Sequence, residues 1–353
     1  MLLLFFAAGC AVDRPPSGGP VDTEPLVITA VDPAPMSTGI TPSEIRFSFN
    51  RYVTATELRR ALTLSPAIED HEIRSSGREA RILIPGPLEK DRTYSVTLNT
   101  TLQSTRGNRL EESYSYAFST GQDIDTGRIT GIIYTASAQP APEVTVQAFR
   151  LSDNAPASLA GKPDYTVLSG SDGTFRFRNM QEGSYRLLVF RDTNQNGKPD
   201  LPDEQYAAGA REVIPTDTEN ALFRLGRRSG DKDKQEAPAI LPASKDNGAI
   251  IGTIQSNAPR VVIEAVHTAT GSRKRILVSC VSRQTPFLVN GLAAGDYVIS
   301  AYEPSGPEGD TETPPPWNPG TLFPFSPADT FTVHPAMIKV RAGWTTGNIL
   351  LEL

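Results

Sequence analysis

The sequence contains very little histidine, cysteine or tryptophan. Its 353 residues include three histidines, two cysteines and two tryptophans. His71, His267 and His334 stand far apart, and none has the second histidine four residues on that a zinc hydrolase helix needs. No G-x-S-x-G sequence is present either. We therefore expect no enzyme. Paired carboxylates for glycoside cleavage stay open only because Asp and Glu occur throughout the chain.

Clustered positive charge and a disulfide framework are also missing. The 34 Lys and Arg residues are scattered among 40 Asp and Glu residues, which gives a net charge of −6. Without a basic face to neutralise phosphates, nucleic acid is a poor partner. Cys10 and Cys280 do not make a framework. Cys280 ends an alternating run with Ile276 and Val278, so a small buried apolar role is favoured over a nucleophile.

Long apolar helices are absent, and 30 prolines and 28 glycines without a period separate many short apolar runs. Short apolar runs separated in this way indicate all-β modules, and the length of the chain suits two or three domains. In residues 25–122 the run "EIRFSFNRYV" places Ile45, Phe47 and Phe49 on one face of a strand. With "LEKDRTYSVTL" and "RGNRL…YAFST", this segment resembles the bacterial Ig-like domain of S-layer and surface proteins. The resemblance implies a spacer or adhesive β-sandwich without catalytic residues.

Two later segments, 127–227 and 248–353, align with each other. Four pairs share a constant offset of 112 residues: Phe175 and Phe287, Gly183 and Gly295, Tyr185 and Tyr297, Phe190 and Tyr302. This constancy predicts an internal repeat. The "DG-F-F-G-Y" pattern from Asp172 to Tyr185 resembles the carboxypeptidase regulatory-like branch of the transthyretin-like family, and the second copy is divergent. Residues 228–247 are predicted as a linker. The expected fold is an Ig-like β-sandwich followed by two transthyretin-like β-sandwiches.

The N-terminus begins with a short apolar run that ends in "AAGC". Residues 1–9 are interpreted as a signal peptide, and the ending resembles the bacterial lipobox, which would place a lipid on Cys10. Residues 10–24, with "DRPPSGGP", suit a tether, because this composition forms neither helix nor strand. A truncated secretory signal with an incidental cysteine is the alternative. The apolar start, the "PPSGGP" tether and the β modules that follow resemble the arrangement in lipoproteins of Gram-negative bacteria. It implies a membrane partner through the anchor and an outer-membrane location, on either the periplasmic or the surface face.

The stretch "DTNQNGKPDLPD" has the ligand spacing of an EF-hand-type calcium loop. Five side chains stand at positions 1, 3, 5, 9 and 12: Asp192, Asn194, Asn196, Asp200 and Asp203. Lys198 would supply its backbone carbonyl, and either Asp203 or Glu204 would close the shell. A preceding strand and two prolines argue against a helix-loop-helix sensor. The hypothesis is a structural Ca²⁺ site, and the alternative is a solvated acidic turn.

The favoured function is a non-catalytic, lipid-anchored envelope scaffold with a structural or adhesive role. A carbohydrate-binding protein is the second hypothesis, because Trp317 in "PPPWNPG" could stack on a sugar ring. The same side chain could instead hold the loop against its own domain. A cell-envelope protein or a glycan is therefore the expected partner class.

Overall fold

The computed structural model describes residues 23–68, 70–151, 161–201, 203–226, 246–305 and 314–353. In these ranges the regular structure is almost entirely β, with one short helix. The predicted all-β fold class, a series of β-sandwich domains, is confirmed. The predicted signal peptide, Cys10, most of the tether and most of the linker lie outside the described residues. No helix in the described ranges is long and apolar enough to cross a membrane.

The first domain packs two antiparallel sheets around one apolar core. Its elements are β1 (Ile28–Asp32), β2 (Glu44–Phe49), α1 (Ala55–Ala61), β3 (Leu62–Ser65), β4 (Glu72–Ser76), β5 (Glu79–Leu83), β6 (Thr93–Leu98) and β7 (Tyr114–Ser119). The sheet orders are β1-β2-β5-β4 and β3-β6-β7. Ile45, Phe47 and Phe49 all lie in the core, as the alternation predicts. Helix α1, which Thr54 caps by accepting from the Glu57 amide, was not anticipated.

The second domain has a five-stranded and a three-stranded sheet. Its strands are β8 (Gly127–Tyr134), β9 (Thr145–Arg150), β10 (Tyr165–Leu168), β11 (Thr174–Met180), β12 (Ser184–Phe190), β13 (Tyr206–Ala208), β14 (Ile214–Pro215) and β15 (Thr218–Arg224). The orders are β10-β9-β12-β13, with β14 also on β12, and β11-β8-β15. The inner faces of both sheets, with Phe175 and Tyr185, form one core.

The third domain repeats this plan. Its strands are β16 (Asn247–Gln255), β17 (Arg260–His267), β18 (Arg273–Ser279), β19 (Gln284–Ala293), β20 (Gly295–Glu303), β21 (Thr321–Leu322), β22 (Phe325–Ser326), β23 (Thr330–Val333), β24 (Ile338–Val340) and β25 (Thr345–Glu352). The orders are β18-β17-β20-β23, with β24 also on β20, and β19-β16-β25. The parallel pair β8–β15 corresponds to the parallel pair β16–β25. The extra element is the hairpin β21–β22.

The residues paired by the constant offset occupy equivalent places in the two domains. Tyr185 and Tyr297 are both buried, and each donates its hydroxyl to the carbonyl oxygen four residues earlier, at 2.6 and 3.0 Å. Gly183 and Gly295 have φ values of 155° and 154°. These contacts fix the corner that leads into β12 and β20.

One close approach in each domain requires glycine. A Cβ on Gly131 would lie 2.1 Å from the Ala221 carbonyl oxygen and 2.5 Å from the Phe175 ring. A Cβ on Gly252 would lie 2.4 Å from the Ile349 carbonyl oxygen and 2.6 Å from the Phe287 ring. The aromatic ring of the neighbouring strand packs directly over the glycine backbone in both domains.

Candidate functional site

The first and second domains meet through strand edges and a buried arginine. The Ser65 hydroxyl donates to the Thr166 carbonyl oxygen at 3.4 Å and accepts from the Thr166 amide at 3.2 Å. Arg92, whose side chain is 10% exposed, pairs with Asp164 at 3.0 Å and also donates to Gln181. Because Arg92 belongs to the first domain and its partners to the second, these contacts join two domains.

The second and third domains meet over an apolar patch. Val262, Tyr302 and Phe331 lie on the outer face of the five-stranded sheet of the third domain. Tyr134 and Leu222 of the second domain pack against them. The Tyr134 and Phe331 rings are 6.0 Å apart in an edge-to-face arrangement. The sheet face that would otherwise be exposed to solvent is therefore covered by the preceding domain.

A fully buried carboxylate lies beside this patch. Glu264 on β17 is 0% exposed. Arg224, from β15 of the second domain, pairs with it directly. Arg275 and Arg273, on the neighbouring strand β18, approach its Oε1 at 3.0 and 3.4 Å. Three guanidinium groups from two domains thus surround one carboxylate.

The pKa of Glu264 reflects two opposed effects. Burial alone raises it, because the charged form loses its hydration. The positive charges of Arg224, Arg275 and Arg273 outweigh the burial and lower the pKa from 4.5 to about 2. Glu264 is therefore ionised at neutral pH.

The same arginines also satisfy backbone acceptors across the junction. The carbonyl oxygen of Ala136, in the second domain, accepts from Arg224 at 2.7 Å and from Arg273 at 2.9 Å. Arg273 donates further to the Ser137 hydroxyl at 2.9 Å. Hydrogen bonds from both domains to one carbonyl group fix the relative position of β8 and β18.

The hairpin β21–β22 makes a return contact. Leu322 and Phe325 of the third domain cover the outer face of the five-stranded sheet of the second domain, where Phe149, Leu188 and Phe190 are buried. The guanidinium carbon of Arg186 lies 4.4 Å from the centre of the Phe325 ring. The Ala208 amide donates to the Pro319 carbonyl oxygen at 2.9 Å. Each of the two domains therefore covers a sheet face of the other.

Trp317 lies inside this junction and not on an open face. It packs against the core of the second domain and against the apolar patch of the third. Its ring is 5.9 Å from the Phe331 ring and 5.4 Å from the Arg224 guanidinium. These contacts favour the alternative in which the Trp317 side chain holds its loop, and the stacking platform remains a prediction. Trp317 holds its loop in place, and it does so against two domains and not against its own alone.

The loop predicted to bind calcium follows β12 and folds over itself. Both carboxylate oxygens of Asp192 accept backbone amides, from Asn196 at 3.1 Å and from Gly197 at 2.9 Å. The side-chain amides of Asn194 and Asn196 both reach Oδ2 of Asp200, at 2.5 and 2.7 Å. The amide nitrogens of both asparagines therefore face Asp200, while their side-chain oxygens accept from the backbone amides of Asn196 and Lys198.

The closing ligand is the position that fits least well. Asp203, at position 12, is exposed. Glu204 is 3% exposed, and its carboxylate accepts from the Thr193 amide at 2.7 Å and from the Asp200 amide at 3.1 Å. In the described ranges no group of three or more His, Cys, Asp or Glu side chains is placed to hold a metal ion. Backbone amides thus donate to side-chain oxygens of Asp192 and Glu204 alike, and the calcium site remains a prediction.

The remaining nucleophilic and basic groups are separate from one another. Cys280 packs partly against the core of the third domain, and burial raises the pKa of its thiol. This agrees with the predicted apolar role. His71 contacts the Ile68 carbonyl oxygen at 2.7 Å, and Nδ1 of His267 accepts from the Thr270 amide. Nδ1 of His334 accepts from the Ala336 amide in the same way. Each histidine is engaged by its own loop.

Comparison with known families bears on the first domain. Residues 22–120 match the family model of the bacterial Ig-like domain. The sequence-based assignment of this segment is thereby confirmed. No curated protein sequence matches the chain.

Several solved structures are similar at low identity. One is alpha-2-macroglobulin from Escherichia coli, over its domains MG0-NIE-MG1, at 11% identity and a TM-score of 0.22, covering 80% of this chain and 94% of that one. A minor pilin of Streptococcus agalactiae is 13% identical with a TM-score of 0.20, covering 64% and 95%. The N-terminal part of the bacterial S-layer protein SbsC is 14% identical with a TM-score of 0.20, covering 48% and 41%. At these TM-scores the similarities carry no functional information.

Proposed function

We propose that this chain is a non-catalytic spacer of the bacterial cell envelope, in which three β-sandwich domains form one stiff unit. The observation that carries the proposal is the junction between the second and third domains. It combines a buried charge cluster around Glu264, an apolar patch and a return hairpin. Domains that cover apolar faces of one another are not expected to move independently.

The family match supports the same function. A bacterial Ig-like domain at residues 22–120 is typical of extracellular and envelope proteins that position other modules. The Arg92 contacts then continue the stiff unit from the first domain into the second. A lipid on Cys10 and the tether to residue 24 would connect this unit to the outer membrane.

A calcium ion is the proposed ligand of the loop from Asp192 to Glu204. The spacing of Asn194, Asn196 and Asp200 supports it, because oxygen-bearing side chains at these positions suit Ca²⁺. Asp192 would complete the protein ligands together with the Lys198 carbonyl. The calcium ion would stabilise the loop that follows β12. The corresponding stretch of the third domain lacks this ligand spacing, so the ion would act on the second domain alone.

Anchoring is tested by fractionation of the cells that make the protein. Wild-type chain is expected in the membrane fraction, labelled by a fatty-acid analogue, and the Cys10→Ser chain is expected in the soluble envelope fraction without label. Equal membrane association of both chains would contradict anchoring through Cys10. A hydrolase panel tests the absence of catalysis, and a turnover that Glu or Asp substitutions abolish would contradict it.

A further inference from the structure

The three-stranded sheet of the third domain has an exposed apolar face. Ile251 on β16, Leu288 on β19 and Leu350 on β25 are 43%, 49% and 49% exposed. The residues before them and after them on these strands, such as Ile250 and Ile349, are buried in the core. Alternation therefore places the three exposed side chains together on the opposite face of the sheet. Apolar residues scattered singly over a surface are ordinary, whereas a contiguous group marks a surface that binds a partner.

The strand register makes this group contiguous. Ile251 stands directly opposite Leu288 on the antiparallel strand, where Cβ atoms are about 5 Å apart. On the other side of β16, Leu350 stands opposite Thr253, two residues after Ile251. Gly347 has no side chain to cover the centre of the face, although a Cβ there would lie 3.4 Å from Cγ2 of Ile251. The apolar face therefore extends over all three strands and is left open by its own sheet.

The apolar face is also almost free of charge. Strands β16, β19 and β25 contain one charged residue, Glu352, at the end of β25. The corresponding strands of the second domain carry four arginines, one on β8, two on β11 and one on β15. Phe175 and Phe287 each pair with the glycine over which they pack, so the next residues along, Arg176 and Leu288, occupy equivalent places. The third domain thus has an exposed leucine where its sister domain has an exposed arginine.

The equivalent sheet of the second domain already forms an interface. Its Tyr134 and Leu222, on β8 and β15, pack against the third domain. Leu222 follows the residue that pairs with Gly131, and Leu350 follows the residue that pairs with Gly252, so the two leucines are equivalent. The outer face of this sheet therefore contacts the next module in the second domain, whereas in the third domain Leu350 stays exposed in the part of the chain that the structure describes.

A second copy of the chain offers one sheet face that suits the apolar face. The outer faces of both five-stranded sheets are already covered, one by the second domain and one by the hairpin β21–β22. In the first domain one outer face carries ion-paired arginines, and the other carries hydroxyl groups such as those of Thr97 and Ser115. Burying such groups against leucine is costly. The same apolar face of the second copy has no charge to bury at its centre, and both copies would remove apolar surface from water.

We propose that the apolar face formed by Ile251, Leu288 and Leu350 joins two copies of this chain in a symmetric dimer. Three strands about 4.8 Å apart, each about eight residues long with a rise of about 3.3 Å, cover roughly 400 Å² in each copy. Stable complexes bury about 800 Å² in each partner, so the dimer is weak in solution. Copies anchored in one membrane would meet at a higher effective concentration, while the contact itself does not depend on the proposed anchor.

The test uses the full chain with Cys10→Ser in reducing buffer, so that neither a lipid nor a disulfide joins two copies. Analytical ultracentrifugation measures association from about 10 to about 300 µM. Leu288→Arg introduces the residue type that the second domain has at the equivalent place, and it adds a positive charge to both sides of the contact. Met337→Arg, at a 65% exposed position before β24, is the matched control. Leu350→Ala removes apolar surface without adding charge.

The starting chain and Met337→Arg are expected to form the same concentration-dependent dimer. Leu288→Arg should raise the dissociation constant about tenfold or more, because like charges meet across the contact. Leu350→Ala should raise it about tenfold, because a symmetric dimer loses the same contact twice. Unchanged melting temperatures show that the variants fold.

A starting chain that stays monomeric up to about 300 µM would overturn the proposal, and so would equal weakening by Leu288→Arg and Met337→Arg. Co-sedimentation with phosphatidylcholine vesicles tests a membrane as the occupant. A monomeric chain whose vesicle binding is lost in Leu288→Arg would assign the face to a membrane and overturn the dimer. Fractionation of cells judges the anchoring separately, since the association is measured without a lipid.

Discussion

Replacing Glu264 by glutamine is the most informative single change at the junction of the second and third domains. Glutamine keeps the size of the side chain and removes its charge. Arg224, Arg273 and Arg275 would then face a neutral amide in a site without solvent. The substitution leaves buried positive charge without a counter-ion, which is costly in a folded protein.

Two estimates give the magnitude of this loss. A pKa that falls from 4.5 in the unfolded chain to about 2 in the folded chain corresponds to about 3 kcal/mol of stability. Removal of one partner from a buried ion pair typically costs about 3–5 kcal/mol. We expect Glu264→Gln to lower the free energy of unfolding of the second and third domains by about 3 kcal/mol.

The pH dependence follows from the direction of the pKa change. Because the folded-state pKa is lowered, the contribution of Glu264 is fully present above pH 4.5 and is lost as the pH falls toward 2. The difference between wild type and Glu264→Gln should therefore be constant near neutral pH and should shrink in acid.

Urea unfolding of the full chain, followed by tryptophan fluorescence and circular dichroism, measures this difference. Glu72→Gln is the matched control, since Glu72 also pairs with an arginine from a strand but is exposed. It should behave like wild type at neutral pH, because exposed ion pairs contribute little. If Glu264→Gln unfolds at the same urea concentration as wild type at pH 7, the charge cluster does not stabilise the junction.

Three further changes test other contacts. Gly131→Ala should destabilise the second domain by about 1–3 kcal/mol in urea, because its Cβ meets the Ala221 carbonyl oxygen, whereas Gly86→Ala, with open space around it, should not. Trp317→Ala should destabilise the junction by about 2 kcal/mol and leave a glycan array unchanged; specific glycan binding lost in this variant would instead support carbohydrate binding. Calcium at about 100 times its dissociation constant should stabilise wild type by about 2.7 kcal/mol, measured by thermal unfolding with and without chelator, and Asp192→Ala should abolish the effect; equal melting temperatures with chelator would contradict a calcium site.

Local patterns in the sequence were sufficient to predict most strands and the repeat. Alternation placed Ile45, Phe47 and Phe49 in the core, and the offset of 112 paired residues that the fold makes equivalent. These features depend on neighbours along the chain, and so they can be read from it. Strand β4 and helix α1 were missed, because "HEIRSS" and "ATELRRA" are too short and too polar to give a clear period.

The junctions could not be predicted, because they depend on which domain faces meet. Glu264 is the one acidic residue of "RVVIEAVH", a pattern that also suits an exposed strand face. Its burial needs Arg224, 40 residues earlier and in another domain. The contacts of Trp317 could not be predicted either, because the sequence around a loop tryptophan does not show which domain its ring packs against. The available signal for this junction was a carboxylate within a mostly apolar strand that has no counterpart in the second domain.

A distance measurement between domains tests the central claim most directly. Spin labels are attached at Arg176→Cys in the second domain and Leu288→Cys in the third, both exposed, in a chain that also carries Cys10→Ser and Cys280→Ser. Pulsed electron resonance then reports the distribution of distances between them. A stiff unit predicts one narrow distribution in the wild-type background and a broader one with Glu264→Gln. A broad distribution in the wild-type background would contradict the proposal that the domains form a stiff spacer.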